Sequence, residues 1–284
     1  MFPFYLSGTV LAFLILYSLG LGYLYHSFKF KLKTASPNTR LKAFLFERFE
    51  HCSQDPEIIK RRMTVFAGWY MFAFAMCLSL IGFDLVMSAD PHWYSTLFGA
   101  YTFIKAIFAG FGAIILLVTL LHLTPKVPFT LTPGQLLDMS TLFFGFSIVW
   151  GDFFYSQFVV IWYGNISEET AYIIKRTMTH PWSILAWTVF IGCFILPFII
   201  LLSRKIKQSP RCMLVVSACV LAGLWIEHFL LLGPSLLAHD PAGFPIGISE
   251  IIITLGFLAL FSMCILAYFK ELPESLKINS GEVA

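Results

Sequence analysis

The sequence predicts an all-α integral membrane protein, a bundle of about seven transmembrane helices with its N-terminus outside and its C-terminus cytoplasmic. Three observations carry that reading. The 284 residues are 58% hydrophobic and only 12% charged, with a mean hydropathy of +0.80, against about 25% charged residues in a soluble chain. Seven runs reach the roughly 20 apolar residues that a helix needs to cross a bilayer. Finally, sixteen of the nineteen Lys and Arg fall on one side of those runs, the side that the positive-inside rule makes cytoplasmic. The composition excludes a disordered chain, a secreted disulfide scaffold and an ordinary cytosolic enzyme. Ten-residue strands of alternating hydrophobicity are absent from the sequence, which excludes a transmembrane barrel.

The predicted spans are about 4–26, 64–88, 95–123, 136–161, 182–203, 212–233 and 246–269. The first has no basic residue before it and no small-residue cleavage site, and basic residues follow it, so it reads as a retained helix rather than a signal peptide. Residues 27–63 come next, with nine Lys and Arg interleaved with Leu41, Phe44, Phe46 and Phe49. They read as a basic amphipathic cytoplasmic segment attracted to anionic lipid. Residues 64–270 make a six-helix membrane domain, and 271–284 a cytoplasmic tail. The outer loops are aromatic and polar, with Trp93, Tyr94, Trp162 and Tyr163 placed as an interfacial belt. No basic patch fits nucleic acid, because the basic residues follow the membrane rule.

The six Cys show no C-x-x-C or C-x-x-C-H spacing, so neither a thiolate metal site nor attached haem c is read in this chain. His26 and His122 lie at cytoplasmic helix ends, where interfacial His is ordinary. No cofactor-binding or metal-ligating set is assigned.

Ionisable groups inside spans need a reason, since each costs at least about 2.5–3.5 kcal/mol on insertion scales. Six lie away from the cytoplasmic edge: Asp84, Lys105, Asp152, Glu227, His228 and Glu250. Counted along their helices at about 1.5 Å per residue, all six fall in the outer half of the bilayer. Five helices thus contribute to one layer, which reads as a candidate proton relay open to the outside. Lys105 pairs with Asp152 or with Glu227, and an acid left without a counter-charge is a natural proton carrier. Glu227 and His228 are adjacent and point about 100° apart, so they cannot face one partner together. The plainer alternative is that Asp84 and Glu250 are solvated near the interface and Lys105 is half of a packing pair.

Four stretches narrow the function. Asp84-Leu-Val-Met-Ser-Ala-Asp-Pro-His-Trp-Tyr-Ser-Thr-Leu-Phe-Gly joins the second and third spans, and Asp138-Met-Ser-Thr-Leu-Phe-Phe-Gly-Phe-Ser-Ile-Val-Trp opens the fourth. Ser156-Gln-Phe-Val-Val-Ile-Trp-Tyr-Gly-Asn-Ile-Ser-Glu-Glu-Thr closes the fourth, and Leu196-Pro-Phe-Ile-Ile-Leu-Leu-Ser-Arg lies in the fifth. From about residue 62 to 270 the chain resembles the second NrfD-like (polysulfide-reductase-type) membrane subunit of bacterial alternative complex III, a quinol:cytochrome c oxidoreductase. The resemblance implies a multi-pass inner-membrane subunit with no redox centre of its own. Its implied partners are a homologous quinol-binding NrfD-like subunit, an iron–sulfur subunit and a multihaem cytochrome c, so haem c and iron–sulfur clusters belong to the partners. It also implies support of assembly and a proton path from the periplasmic half of the membrane. Asp84, Asp90, His92, Trp93, Asp138, Asn165, Glu168 and Glu169 are the polar and aromatic positions that match its motifs. The family's usual members carry further N-terminal helices, a bundle associated in related subunits with quinol binding, where this chain has one helix and the basic segment. Two other functions fit the same layer of charges: a stand-alone proton-coupled transporter, and a purely structural membrane anchor. Against the transporter, only Pro197 breaks a span near its middle.

Overall fold

Seven helices in the computed structural model are long and apolar enough to cross a membrane. The structure describes residues 2–34, 55–125, 129–236 and 247–271, and the described residues contain no strand. The predicted spans and the observed ones agree to within a few residues except in the second, which begins at Pro56 rather than 64. Much of the predicted amphipathic segment, including Leu41, Phe44, Phe46 and Phe49, lies outside the described residues, as do Lys126, His239 and the tail beyond Glu271.

The chain forms two compact units, Met1–Asp84 and Leu85–Ala284. The sequence reading sets residues 64–270 apart as a six-helix membrane domain. In the first unit α1 (Phe2–Thr34) and α2 (Pro56–Ile81) run antiparallel. The Cys77 thiol donates to the Ala12 carbonyl at 3.2 Å, and Thr9 donates to Asp84 at 3.3 Å. The buried His26 ring lies against Phe66. Asp84 sits in a π-helical turn, Gly82–Val86, that ends α2.

The second unit is built around α3 (Leu97–Leu123), α4 (Pro133–Gly164), the α6–α7 span (Trp182–Phe190 and Leu196–Leu201) and α9 (Pro210–Leu236). A short amphipathic helix, α5 (Ser167–Thr177), joins α4 to α6, and α8 (Arg204–Lys207) joins α7 to α9. The four long elements alternate in direction. Tyr101 and Phe108 of α3 meet Trp150 and Phe143 of α4, and Phe154 and Phe144 of α4 meet Phe190 and Phe198 of the next span. Gly223 of α9 receives Cys193, and Glu227 of α9 faces Lys105, which closes the ring. The last span, α10 (Ile248–Glu271), is exposed along nearly all its described length and is tied to α9 by a hydrogen bond from Trp225 to Thr254 at 3.1 Å.

Local chemistry sets the ends. Thr132 and Gln135 satisfy each other's backbone N–H groups in a capping box, and Pro133 occupies the first helical position of α4. Asn165 closes that helix in the left-handed conformation, φ 47°, which Asn tolerates better than most residues.

A π-helical turn, Ile191–Ile195, divides the fifth span and turns Cys193 toward α9. A methyl group on Gly223 would lie 2.5 Å from the Cys193 sulfur, and its next contact, the Cys193 nitrogen, is an ordinary 3.8 Å away. Gly223→Ala is therefore expected to destabilise the bundle by about 1–3 kcal/mol, the usual cost of overpacking. Cys193→Ala in the same chain removes the clash, so the double variant should recover most of the loss in an unfolding titration. A double variant no more stable than Gly223→Ala would contradict this packing.

Candidate functional site

Glu227 lies in the middle of the four-helix ring, with 0% of its surface exposed. Its Oε1 accepts the Tyr101 hydroxyl and lies 3.5 Å from Lys105 Nζ. Tyr101 and Lys105 are four residues apart on α3, hence on one face, and the ammonium also sits over the Tyr101 ring at 5.5 Å. The other carboxyl oxygen, Oε2, is buried with no hydrogen-bond partner. Placing a carboxyl in hydrocarbon is expensive, and here a phenol and an ammonium compensate one oxygen and leave the second available.

A second polar cluster lies one turn further along α9. Arg176, buried and carried on α5, donates from Nε to the Leu230 carbonyl at 3.1 Å and from Nη2 to the Leu231 carbonyl at 2.8 Å. It also reaches the Tyr172 carbonyl and the Ser235 hydroxyl. The reason is Pro234, inside α9: a proline has no N–H for the carbonyl four residues earlier, which is that of Leu230, and the guanidinium supplies the missing donor. Asp90 completes the cluster, 3.8 Å from Arg176 Nη1 and accepting from Ser235 at 3.1 Å. Trp93, Tyr172 and Arg176 form a stack, with ring centroids 3.9 Å apart and the guanidinium 3.4 Å from the Tyr172 centroid. Burial, opposed by the Arg176 charge, pushes the Tyr172 phenol up to about 12; its hydroxyl is buried without a hydrogen-bond partner. Burial also pulls Arg176 below the usual guanidinium range, with Tyr172 and Asp90 acting against it.

A cavity of about 470 Å³ lies between α3, α4, α5, α6 and α9 and has Tyr101, Gln157, Tyr172 and Arg176 in its mostly apolar wall. Both polar clusters thus border one space. The cavity reaches the phenol that holds Glu227, and its wall includes Gln157, whose Nε2 is buried without a partner.

Of the six sequence-predicted relay residues, the structure joins two, Lys105 and Glu227. Of the two pairings open to Lys105, it makes the one with Glu227. Asp152 is on the exposed face of α4. His228 is exposed and holds the Leu224 carbonyl of its own helix with Nδ1 at 2.8 Å. Glu250 accepts from Gly247 N at 2.8 Å and Ser249 Oγ at 2.9 Å, fastening the first turn of α10. Asp84 bonds Thr9 within the first unit.

The residues of the quoted motifs also find places. Asp90 and Trp93 hold Arg176 and Tyr172, and Asn165 caps α4. Glu168 and Glu169 are in the first turn of α5, where the helix dipole favours negative charge. Asp138 borders a surface recess with Arg204 and Lys207, and His92 is exposed. Sequence reasoning missed Tyr101 and Arg176. Arg176 is one of only two basic residues on the predicted outer side, and that rarity was the available signal. Among the described residues no three His, Cys, Asp or Glu side chains come together as a metal-holding group. Compared with known proteins, the chain matches no family model and no curated protein.

Proposed function

We propose that the chain is a multi-pass inner-membrane subunit of an alternative-complex-III-like quinol:electron-acceptor oxidoreductase, in which Glu227 takes up and passes on protons. The four sequence stretches and the cytoplasmic weighting of Lys and Arg support the assembly, its membrane and the orientation with the N-terminus outside. The observation that carries the proton role is a fully buried carboxyl with one oxygen engaged and the other unpartnered, its phenol donor in a cavity wall. Tyr101 and Lys105 orient the group and keep its charged form tolerable in hydrocarbon. Oε2 is the atom that gains and loses the proton, and Tyr101, which donates to the same carboxyl, links it to the cavity. Asp90, Trp93 and Arg176 brace α9 around Pro234, beside this space.

The test is made on the tagged chain drawn from its native membrane in mild detergent. Co-purification of multihaem and iron–sulfur proteins, with haem absorbance, is expected; a colourless chain running alone would contradict the respiratory assignment. In the purified assembly, Glu227→Gln is expected to leave the partners bound and to lower proton-coupled quinol turnover about 100-fold, the scale of a lost acid–base group. Unchanged turnover in an assembled Glu227→Gln complex would refute the proton role.

A further inference from the structure

The exposed face of α4 carries an acid where a lipid-facing helix should have none. Asp152 lies ten residues before Trp162, about 15 Å along the axis and thus near the bilayer midplane if that residue marks the interface. It is exposed, and no described residue makes a hydrogen bond or ion pair to it. Among the described spans the one Lys or Arg at such depth is Lys105, which Glu227 already holds. No described residue of this chain supplies the complementary charge.

The surroundings fit a second helix. Asp138, Thr141, Gly145, Ile148, Asp152 and Tyr155 are all exposed and follow each other at alternating spacings of three and four, the seam that a helix packed at a shallow left-handed crossing requires. A methyl group on Gly145 would meet nothing within 4 Å, so this side of the seam leaves room for a close backbone approach. We infer that this face of α4 docks a transmembrane helix of a partner subunit that brings a Lys, Arg or protonated His to mid-membrane depth, opposite Asp152. The inference depends on the chain spanning a membrane and holds whatever reaction the assembly catalyses, so the outcome of the Glu227 assays does not decide it.

Two measurements on native membranes test it. A photo-reactive phenylalanine analogue at Tyr155 is expected to crosslink to an apolar segment of a different chain that contains a basic residue near its middle. Asp152→Asn should reduce that product about tenfold, as loss of about 1.4 kcal/mol of association would. Dicyclohexylcarbodiimide, a carboxyl reagent that enters from lipid, should leave Asp152 unlabelled in native membranes and label it when the chain is expressed alone. Adducts confined to lipid, to this chain or a second copy of it, or to a helix without a basic residue would overturn the inference. So would equal carbodiimide labelling in the two membranes.

Discussion

Glu227→Ala is expected to remove about 3–5 kcal/mol of stability, the range found when one member of a buried ion pair is deleted. The change leaves the Lys105 ammonium without a counter-charge and the Tyr101 hydroxyl without an acceptor in the middle of the bundle. A buried pair replaced as a whole by apolar groups of similar volume is often neutral or stabilising. The triple variant Tyr101→Phe, Lys105→Met, Glu227→Leu should therefore fold about as well as the parent in a bicelle unfolding titration. It should still fail in proton-coupled turnover. A triple variant that works as the parent does would reduce the cluster to packing.

Arg176→Met should have a loss of similar size, about 3–5 kcal/mol, because several acceptors lose their donor together. The Leu230 carbonyl has no substitute within its helix, since Pro234 offers no N–H, and Asp90 loses its cation. Arg176→Lys is expected to recover little, as an ammonium cannot serve acceptors spread around a planar guanidinium. The diagnostic is Pro234→Ala: placed on Arg176→Met it restores a backbone donor to Leu230 and should recover about 1 kcal/mol, one net hydrogen bond. In the parent chain the same change has little to add, because Arg176 already fills that role. Additive effects of the two substitutions would show that the guanidinium does not compensate for the proline.

The spans were legible in the sequence because hydropathy over some 20 residues is a strong and nearly context-free signal. Depth was legible as well: counting from the helix ends placed Glu227 and Lys105 in one layer, where they meet. Facing was not. Apolar residues occur all the way round α4 and α9, so no periodic stripe tells the inner face from the outer, and Asp152 proved to point outward while Glu227 points in. His228 and Glu250 make their hydrogen bonds close by in their own helices, which a depth count does not foresee. Arg176 escaped notice because its role depends on Pro234, 58 positions away in sequence. Asp90 and Trp93 stood out as an unusual motif, and only packing shows that they brace the guanidinium and its stacked phenol.

The proton role of Glu227 is tested most directly by infrared difference spectroscopy of the purified assembly when quinol is added. A carboxyl C=O band that changes with turnover, shifts in Tyr101→Phe and is missing from Glu227→Gln is the expected result. The same difference spectrum from the parent and from Glu227→Gln would contradict it.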